Sequence, residues 1–461
     1  MKNTNKTREK FSSRLGFILI SAGCAIGLGN VYRFPIITGA YGGAIFVLIY
    51  IAFLILLGVP VMVAELSVGR GSQRSIATSF DVLEKDGQKW HFMKYLGIGG
   101  NYLLMMCYTI ITGYMMIYFV KYLNGSILDI SSPIEMREEF FTMMGDPVKT
   151  LIATYIAVFI GLLVCSLGLK NGVERITKVI MIALFVLMIG LAVYALTLPG
   201  AKRGLSFYLV PNVENISKAG LSKVIIAAMG QAFFTLSLGI GSIGVFGSYI
   251  SKDRSLLGES LTIVGLDTAV ALIAGLIIFP AYFSYNSTMI EGEGGAAFLF
   301  TTLTSIFNNM RMGIVFGTLF FLFMIFAAMS TVIAVFENIM SFWIEKTDLS
   351  RFQIMLINLG LMFVLTLPAI FANNILADVK ILGMTLDSIE DFMVSNLALP
   401  IGSLVYVLFC TTKFGWGWKN FYAEVNTGNG LKLPKWLKPY MTFVLPIIII
   451  TILVIQLVAS F

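Results

Sequence analysis

Two stretches of this sequence combine helix-weakening glycines with polar side chains inside otherwise apolar runs. The first is Ser21-Ala22-Gly23-Cys24-Ala25-Ile26-Gly27-Leu28-Gly29-Asn30, with three glycines in seven positions. The second is Ser237-Leu238-Gly239-Ile240-Gly241-Ser242-Ile243-Gly244, with Gln231 and Thr235 just before it. Each glycine weakens a helix interior by roughly 1 kcal/mol against Ala. Glycine alone also serves close packing between membrane helices. Joined to polar residues in both stretches, it favours an unwound turn with a chemical task. Such a turn exposes carbonyl oxygens, hard ligands suited to an alkali cation. It also leaves helix N-termini, whose free N–H groups and positive dipole end favour a carboxylate.

The surrounding composition says where these turns sit. Hydrophobic residues make up 57% of the 461-residue chain, charged residues 12%, and the mean hydropathy is +0.88. A soluble domain carries about 25% charged residues. The balance excludes a soluble enzyme, a disordered chain and a nucleic-acid binder. It points to an all-α polytopic membrane protein, because a backbone in lipid must satisfy its own hydrogen bonds. The four cysteines, Cys24, Cys107, Cys165 and Cys410, lie in apolar stretches without metal-ligand spacing. Met1 to Phe11 is polar and basic, and the apolar run after it lacks a small-residue cleavage site, so no cleaved signal peptide is expected.

Runs of about 20 apolar residues suffice to span a bilayer. Eleven are expected, over 15–36, 43–68, 95–123, 150–168, 176–197, 222–249, 258–283, 312–343, 353–372, 382–411 and 439–460. With the N-terminus inside, 22 of the 32 Lys and Arg fall on the inner side, which supports a cytoplasmic N-terminus and an outside C-terminus. The whole chain, 1–461, reads as one transmembrane domain. The loops 124–149 and 198–221 are long enough to carry helices of their own. The two glycine-rich stretches fall in the first and sixth spans. That is the spacing expected if spans one to five and six to ten are corresponding halves, and interrupted helices at matching positions mark a transporter's central site.

Further stretches carry a resemblance. Arg14-Leu15-Gly16-Phe17-Ile18-Leu19, Gly27-Leu28-Gly29-Asn30-Val31-Tyr32-Arg33-Phe34-Pro35, Gly58-Val59-Pro60 through Glu65, Gly172-Val173-Glu174, Leu198-Pro199-Gly200-Ala201 and Gly230-Gln231-Ala232-Phe233-Phe234-Thr235-Leu236-Ser237 resemble the neurotransmitter:sodium symporter family, especially its bacterial amino-acid transporters. The resemblance implies the LeuT-type inverted five-plus-five repeat. Repeat one would cover about 15–200 and repeat two about 222–411, with an extra helix at about 439–460. There would be about 11 transmembrane helices, the first and sixth unwound at mid-membrane.

The resemblance also implies two sodium sites. The first would use the Ala25 carbonyl, the Asn30 amide, the carbonyl and hydroxyl of Thr235, and Asp267, where many relatives have Asn. The second would use the carbonyls of Gly23, Ile26 and Ala327 with the hydroxyls of Ser330 and Thr331. Hydroxyls in mid-helix commonly bond back to their own helix, which is the competing account of that pair. An acid inside a span is a functional-site hypothesis by default. Asp267 is expected to supply the negative charge that chloride provides in animal relatives, so transport should not need chloride. Proton uptake by Asp267 on the empty return step is a further expectation.

Where amine transporters of the family carry an acid on the unwound first helix, this chain has Gly27. A substrate carboxylate would meet the N–H groups near Leu28 and Gly29, the Tyr108 hydroxyl and the first sodium. The ammonium would meet carbonyls near Ala25, Phe234 and Thr235. The side chain would lie among Cys24, Leu104, Phe234, Ser237, Ile240, Val332 and Val335, beside Thr331, an apolar pocket with few polar groups. The cargo expected is a hydrophobic or aromatic L-amino acid, tyrosine foremost, with a leucine-like aliphatic cargo as the alternative. On the outer side, Arg33 and Asp391 match the family's gate pair, and Tyr108 and Phe234 would cover the substrate. On the inner side, Arg8 and Glu345 match the other pair, capped by Tyr249, with Phe11 where relatives often have Trp.

A sodium-independent exchanger or channel of the same fold would lack the hydroxyl pair at 330–331. A membrane-embedded enzyme would need a nucleophile–base pair or a metal cluster, and His91, the lone histidine, lies in an expected cytoplasmic loop. The expected partners are an amino acid, two sodium ions and the lipid of a cell (inner, cytoplasmic) membrane, with no nucleic acid. The oligomeric state is left open.

Overall fold

The apolar runs fold as helices, and many of the side chains they leave on the outside are apolar. The computed structural model describes residues 9–214, 220–285 and 296–460. Among these, the only β structure is two isolated bridges, Arg254 with Asn429 and Ile381 with Met384. The helices that matter here are α1 (Arg14–Ala25), α2 (Gly29–Ala40), α3 (Ala44–Ser72), α4 (Trp90–Leu123), α5 (Pro133–Gly145), α6 (Pro147–Ser166), α7 (Leu169–Ala195), α8 (Ala201–Leu209), α9 (Leu221–Thr235), α10 (Ser242–Gly247), α11 (Leu256–Tyr285), α12 (Gly313–Lys346), α13 (Arg351–Phe371), α14 (Leu386–Thr411), α15 (Trp418–Val425) and α16 (Leu437–Val458).

Among the described residues, nine helices are long and apolar enough to cross a membrane, and ten if α1 and α2, bent by 55°, count as one span. Eleven were expected. The missing one is 222–249: it is divided into α9 and the six-residue α10, and neither piece is long enough alone. The interruption runs from Leu236 to Gly241 and includes Ser237 at φ 49°, Gly239 at φ 102° and Gly241 at φ 83°. Positive φ is costly for a residue with a side chain, which makes Ser237 a strained position. In the first span, Ile26 is extended (φ −71°, ψ 98°) and ends α1.

Burial separates the centre from the lipid-facing shell. α12 is the central element, buried over most of its length from Gly313 to Phe342, and it packs most extensively against α4 and α7 and also along α1. By contrast, α7 presents Val179, Ile182, Val186, Ile189 and Val193 outward, and α16 presents Phe443, Ile447, Val454 and Val458. Apolar side chains facing out on long helices suit a hydrocarbon surround, not water. The two long loops do carry helices, α5 within 124–149 and α8 within 198–221.

Candidate functional site

Two discontinuities in helices, one at Ile26–Leu28 and one at Leu236–Gly241, face each other between α4, α11 and α12. The second is held from two sides. Glu65 on α3, fully buried, accepts from Gly239 N (2.6 Å), Ile243 N (3.0 Å) and Gly244 N (3.1 Å). Asn101 on α4 donates to Ile240 O (2.8 Å) and accepts from Ser242 Oγ (2.9 Å). Backbone groups freed by an interrupted helix must find partners when buried, and these two side chains supply them. Glu65 was visible in the sequence as an intramembrane acid. Asn101 carried no signal there.

Residues expected at the second cation site converge. Ser330 Oγ lies 2.9 Å from Gly23 O, 3.2 Å from Ile26 O and 2.8 Å from Ala327 O. Thr331 Oγ1 lies 3.3 Å from Gly23 O, 3.4 Å from Cys24 O and 3.4 Å from Ile26 O. Each hydroxyl has one proton to donate. Two protons therefore face four carbonyl oxygens, and the cluster has more acceptors than donors. Such an excess suits a hard cation. Bonding back to the helix accounts for only one of these contacts, Ser330 to Ala327.

At the first expected site, Asn30 Nδ2 donates to Asp267 Oδ1 (2.8 Å) and Asp267 O (3.0 Å). Asn30 Oδ1 accepts from Gly27 N (3.1 Å). Thr235 Oγ1 approaches Asp267 Oδ2 at 3.3 Å. All three residues are buried, and the partners of Asp267 are neutral. A buried carboxylate with only neutral partners favours a cation beside it. Ala25, whose carbonyl was expected at this site, lines the same small cavity as Thr235.

The space between the discontinuities is small. It measures about 10 Å³, room for one water, and is lined by Ala25, Gly27, Leu28, Gly29, Leu104, Tyr108, Phe234, Thr235, Ser237, Thr331 and Leu399. Leu28 N donates to Tyr108 Oη (3.0 Å). A Cβ on Gly27 would lie 2.3 Å from Tyr108 Oη and 2.6 Å from Thr331 Oγ1, so a side chain there would displace both hydroxyls. Cys24, Ile240, Val332 and Val335, expected along the side-chain compartment, are fully buried and lie behind this wall, not on it. Leu399, from α14, is on the wall and was not expected.

Above this space opens a vestibule of about 750 Å³. Leu28, Leu104, Tyr108 and Phe234 line both, and so form the partition between them. Arg33 and Asp391 stand on the vestibule wall but do not form an ion pair. The Arg33 guanidinium lies 4.1 Å from the centroid of the Phe234 ring, a cation–π contact, and Asp391 accepts from Ser395 Oγ at 3.0 Å. The ion pair expected between these two residues is therefore not made here.

The opposite side, around Phe11, holds a second opening of about 490 Å³, with Phe11, Arg14, Phe17, Tyr249 and Glu259 on its wall. Phe11 meets Phe17, Phe246 and Tyr249 with ring centroids 5.9, 6.3 and 5.6 Å apart. Ser12 N donates to Glu174 Oε2 (2.9 Å), and Arg14 pairs with Glu259 at 3.0 Å. Tyr249 Oη donates to Glu337 Oε1 (2.8 Å), and Glu337 also pairs with Arg351. Glu345 accepts from Ser75 N and Thr78 Oγ1, both at 2.7 Å. Its expected partner, Arg8, lies outside the described residues. His91 is half-buried, with Nδ1 2.6 Å from Glu84 Oε1.

Comparison with known proteins agrees with this geometry. The model of the sodium:neurotransmitter symporter family matches residues 8–128 and 120–460. YhdH of Bacillus subtilis, a sodium-dependent transporter, is 32% identical over 422 residues, covering 91% of each chain. A sodium-dependent transporter of Methanocaldococcus jannaschii is 31% identical over 462 residues, 96% of this chain and 89% of its own. Among solved structures, MhsT in complex with L-phenylalanine matches with a TM-score of 0.84 at 34% identity, over 98% of this chain and 100% of that one. A family match over nearly the whole chain, a LeuT-type helical fold and an oxygen-rich centre lead to one conclusion: the chain belongs to the sodium:neurotransmitter symporter family and is a sodium-dependent transporter, not an enzyme.

Proposed function

We propose that the protein is a chloride-independent symporter that couples sodium to uptake of a hydrophobic or aromatic L-amino acid, with tyrosine the favoured cargo. The observation that carries the coupling is the cluster around Ser330 and Thr331, where two hydroxyl protons face four carbonyl oxygens. A sodium ion there would satisfy the surplus acceptors and tie α12 to the end of α1. A second sodium would sit between Asn30, Thr235, Asp267 and the Ala25 carbonyl. The Asp267 carboxylate supplies the negative charge there, which supports independence from chloride.

An amino acid fits the polarity of the centre. With Gly27 leaving no acid on the unwound first helix, the free N–H groups near Leu28 and Gly29 and the Tyr108 hydroxyl suit a carboxylate. Carbonyls of the Leu236–Gly241 interruption suit an ammonium. The solved relative holds L-phenylalanine, which supports an aromatic cargo here. The alternative reading is an aliphatic cargo of leucine size; the space of about 10 Å³ must widen to admit either side chain.

The coupling follows from order of assembly. Sodium draws the carbonyls of the first helix onto α12 and fixes the carboxylate site, so cargo binds best after sodium. Arg33 then leaves the Phe234 face and meets Asp391, closing the vestibule. An exposed ion pair contributes only ~0–1 kcal/mol, which suits a gate that must reopen. With the N-terminus cytoplasmic, the vestibule opens to the outside, and release needs the Phe11–Tyr249 packing to part. Uptake of labelled tyrosine into proteoliposomes tests this: an inward sodium gradient should drive accumulation with gluconate replacing chloride. Equal uptake with an inward potassium gradient would contradict it.

A further inference from the structure

The wall of the small central cavity includes one residue from outside the interrupted spans and the two helices, α4 and α12, that complete it. Leu399 lies on α14 and is 2% exposed. The local sequence sets it apart from its helix. Residues Met393–Ala398 wind as a π-helix, and Pro400 follows directly. A π stretch rotates the helix face that follows, and such stretches occur often at functional positions. Proline removes one backbone donor and so eases the change of winding.

Two glycines bring this part of α14 against the second interrupted span. A Cβ on Gly239 would lie 2.3 Å from Leu399 O and 2.7 Å from Ser403 N, and Gly239 has φ 102°. A Cβ on Gly402 would lie 1.9 Å from Gly239 O. Both contacts are backbone to backbone, which only glycine permits. Gly239 is fixed on its other side by its N–H bond to Glu65. Leu399 is therefore held at a set distance from Thr235 and Ser237, on the same wall.

The polar side chains on the cavity wall are those of Tyr108, Thr235, Ser237 and Thr331, and the Leu28 N–H donates to the Tyr108 hydroxyl. Leu399 offers none; together with Leu104 it is apolar surface. We propose that Leu399 bounds the side-chain end of the cargo site and sets the size of side chain accepted. The inference rests on the reading of the protein as an amino-acid symporter. One methylene in an apolar pocket is worth roughly 10–200-fold in discrimination, so trimming or enlarging this one side chain should reorder cargoes.

The test is equilibrium binding of a labelled amino acid to the purified full-length protein in sodium, with leucine, tyrosine and tryptophan as competitors. Leu399→Ala should improve tryptophan against leucine by about 10-fold or more, and Leu399→Phe should shift the order toward smaller side chains. The sodium concentration for half-saturation should stay the same in both, since the Leu399 side chain has no oxygen to offer a cation. An unchanged order in Leu399→Ala, with a normal sodium response, would overturn the inference alone. Should Leu399→Phe fail to fold, Leu399→Met takes its place, with a smaller shift in the order expected. No sodium-dependent binding of any amino acid by the unsubstituted protein would remove the symporter reading itself, and the inference with it.

Discussion

At the scale of single residues, the cation chemistry rests on few atoms. Ser330 Oγ sits among three carbonyl oxygens and would be a direct sodium ligand. A bond to a charged group contributes about 1.5–3 kcal/mol. Ser330→Ala should therefore raise the sodium concentration for half-maximal binding by about 10–100-fold, read by titrating sodium against a fixed labelled amino acid. Asp267 has neutral hydrogen-bond partners, and in the proposed first site its carboxylate would be the counter-charge to sodium. The unsubstituted protein should bind cargo equally well in chloride and in gluconate. Asp267→Asn should weaken sodium-dependent binding in gluconate by about tenfold or more, on the same ~1.5–3 kcal/mol basis. Asn30, Thr235 and Ser330 were legible in the sequence because their family pattern is local. Leu399 was not. Its place depends on Gly239 meeting Gly402 across the fold, and no spacing within one helix encodes that approach.

At the scale of elements, the interruptions follow from glycine, and what holds them follows from side chains elsewhere. The glycines and polar residues of 237–244 were a readable sign that the sixth span would not run straight. The sequence did not disclose that its freed N–H groups would be taken by Glu65 on α3 and a carbonyl by Asn101 on α4. Nor did it disclose the π-wound stretch at Met393–Ala398, since winding of that kind has no distinct periodicity. Gly239→Ala should be among the most damaging single substitutions. It forces a side chain into φ 102° and within 2.3 Å of the Leu399 carbonyl. The left-handed penalty alone is roughly 1–2 kcal/mol, so the midpoint of thermal unfolding in detergent should fall clearly below that of the unsubstituted protein. Glu65→Gln keeps the size of the side chain and loses the charge that accepts three N–H groups. It should lower the same midpoint by less, and should weaken cargo binding because the interruption loses its anchor.

At the scale of the whole molecule, the two sides differ in the size of their openings, about 750 Å³ against about 490 Å³. The vestibule of about 750 Å³ leads to the partition formed by Leu28, Leu104, Tyr108 and Phe234, while on the opposite side the Phe11, Phe17, Phe246 and Tyr249 rings cluster beside the smaller opening. On the proposed orientation, with the more basic loops cytoplasmic, the vestibule faces outside. Cys107 lines the vestibule, whereas Cys24, Cys165 and Cys410 are buried. A membrane-impermeant thiol reagent added outside intact cells should therefore label Cys107, and sodium plus cargo should slow the labelling as Arg33 and Asp391 close. Labelling only from the cytoplasmic side would reverse the orientation. The central claim is that sodium assembles an amino-acid site. Its most direct test is equilibrium binding of labelled tyrosine to the purified protein in sodium and in potassium, without chloride. Binding in sodium only, displaced better by aromatic than by aliphatic amino acids and shifted to higher sodium by Ser330→Ala, is the predicted result; tyrosine binding that is indifferent to the exchange of sodium for potassium would contradict it.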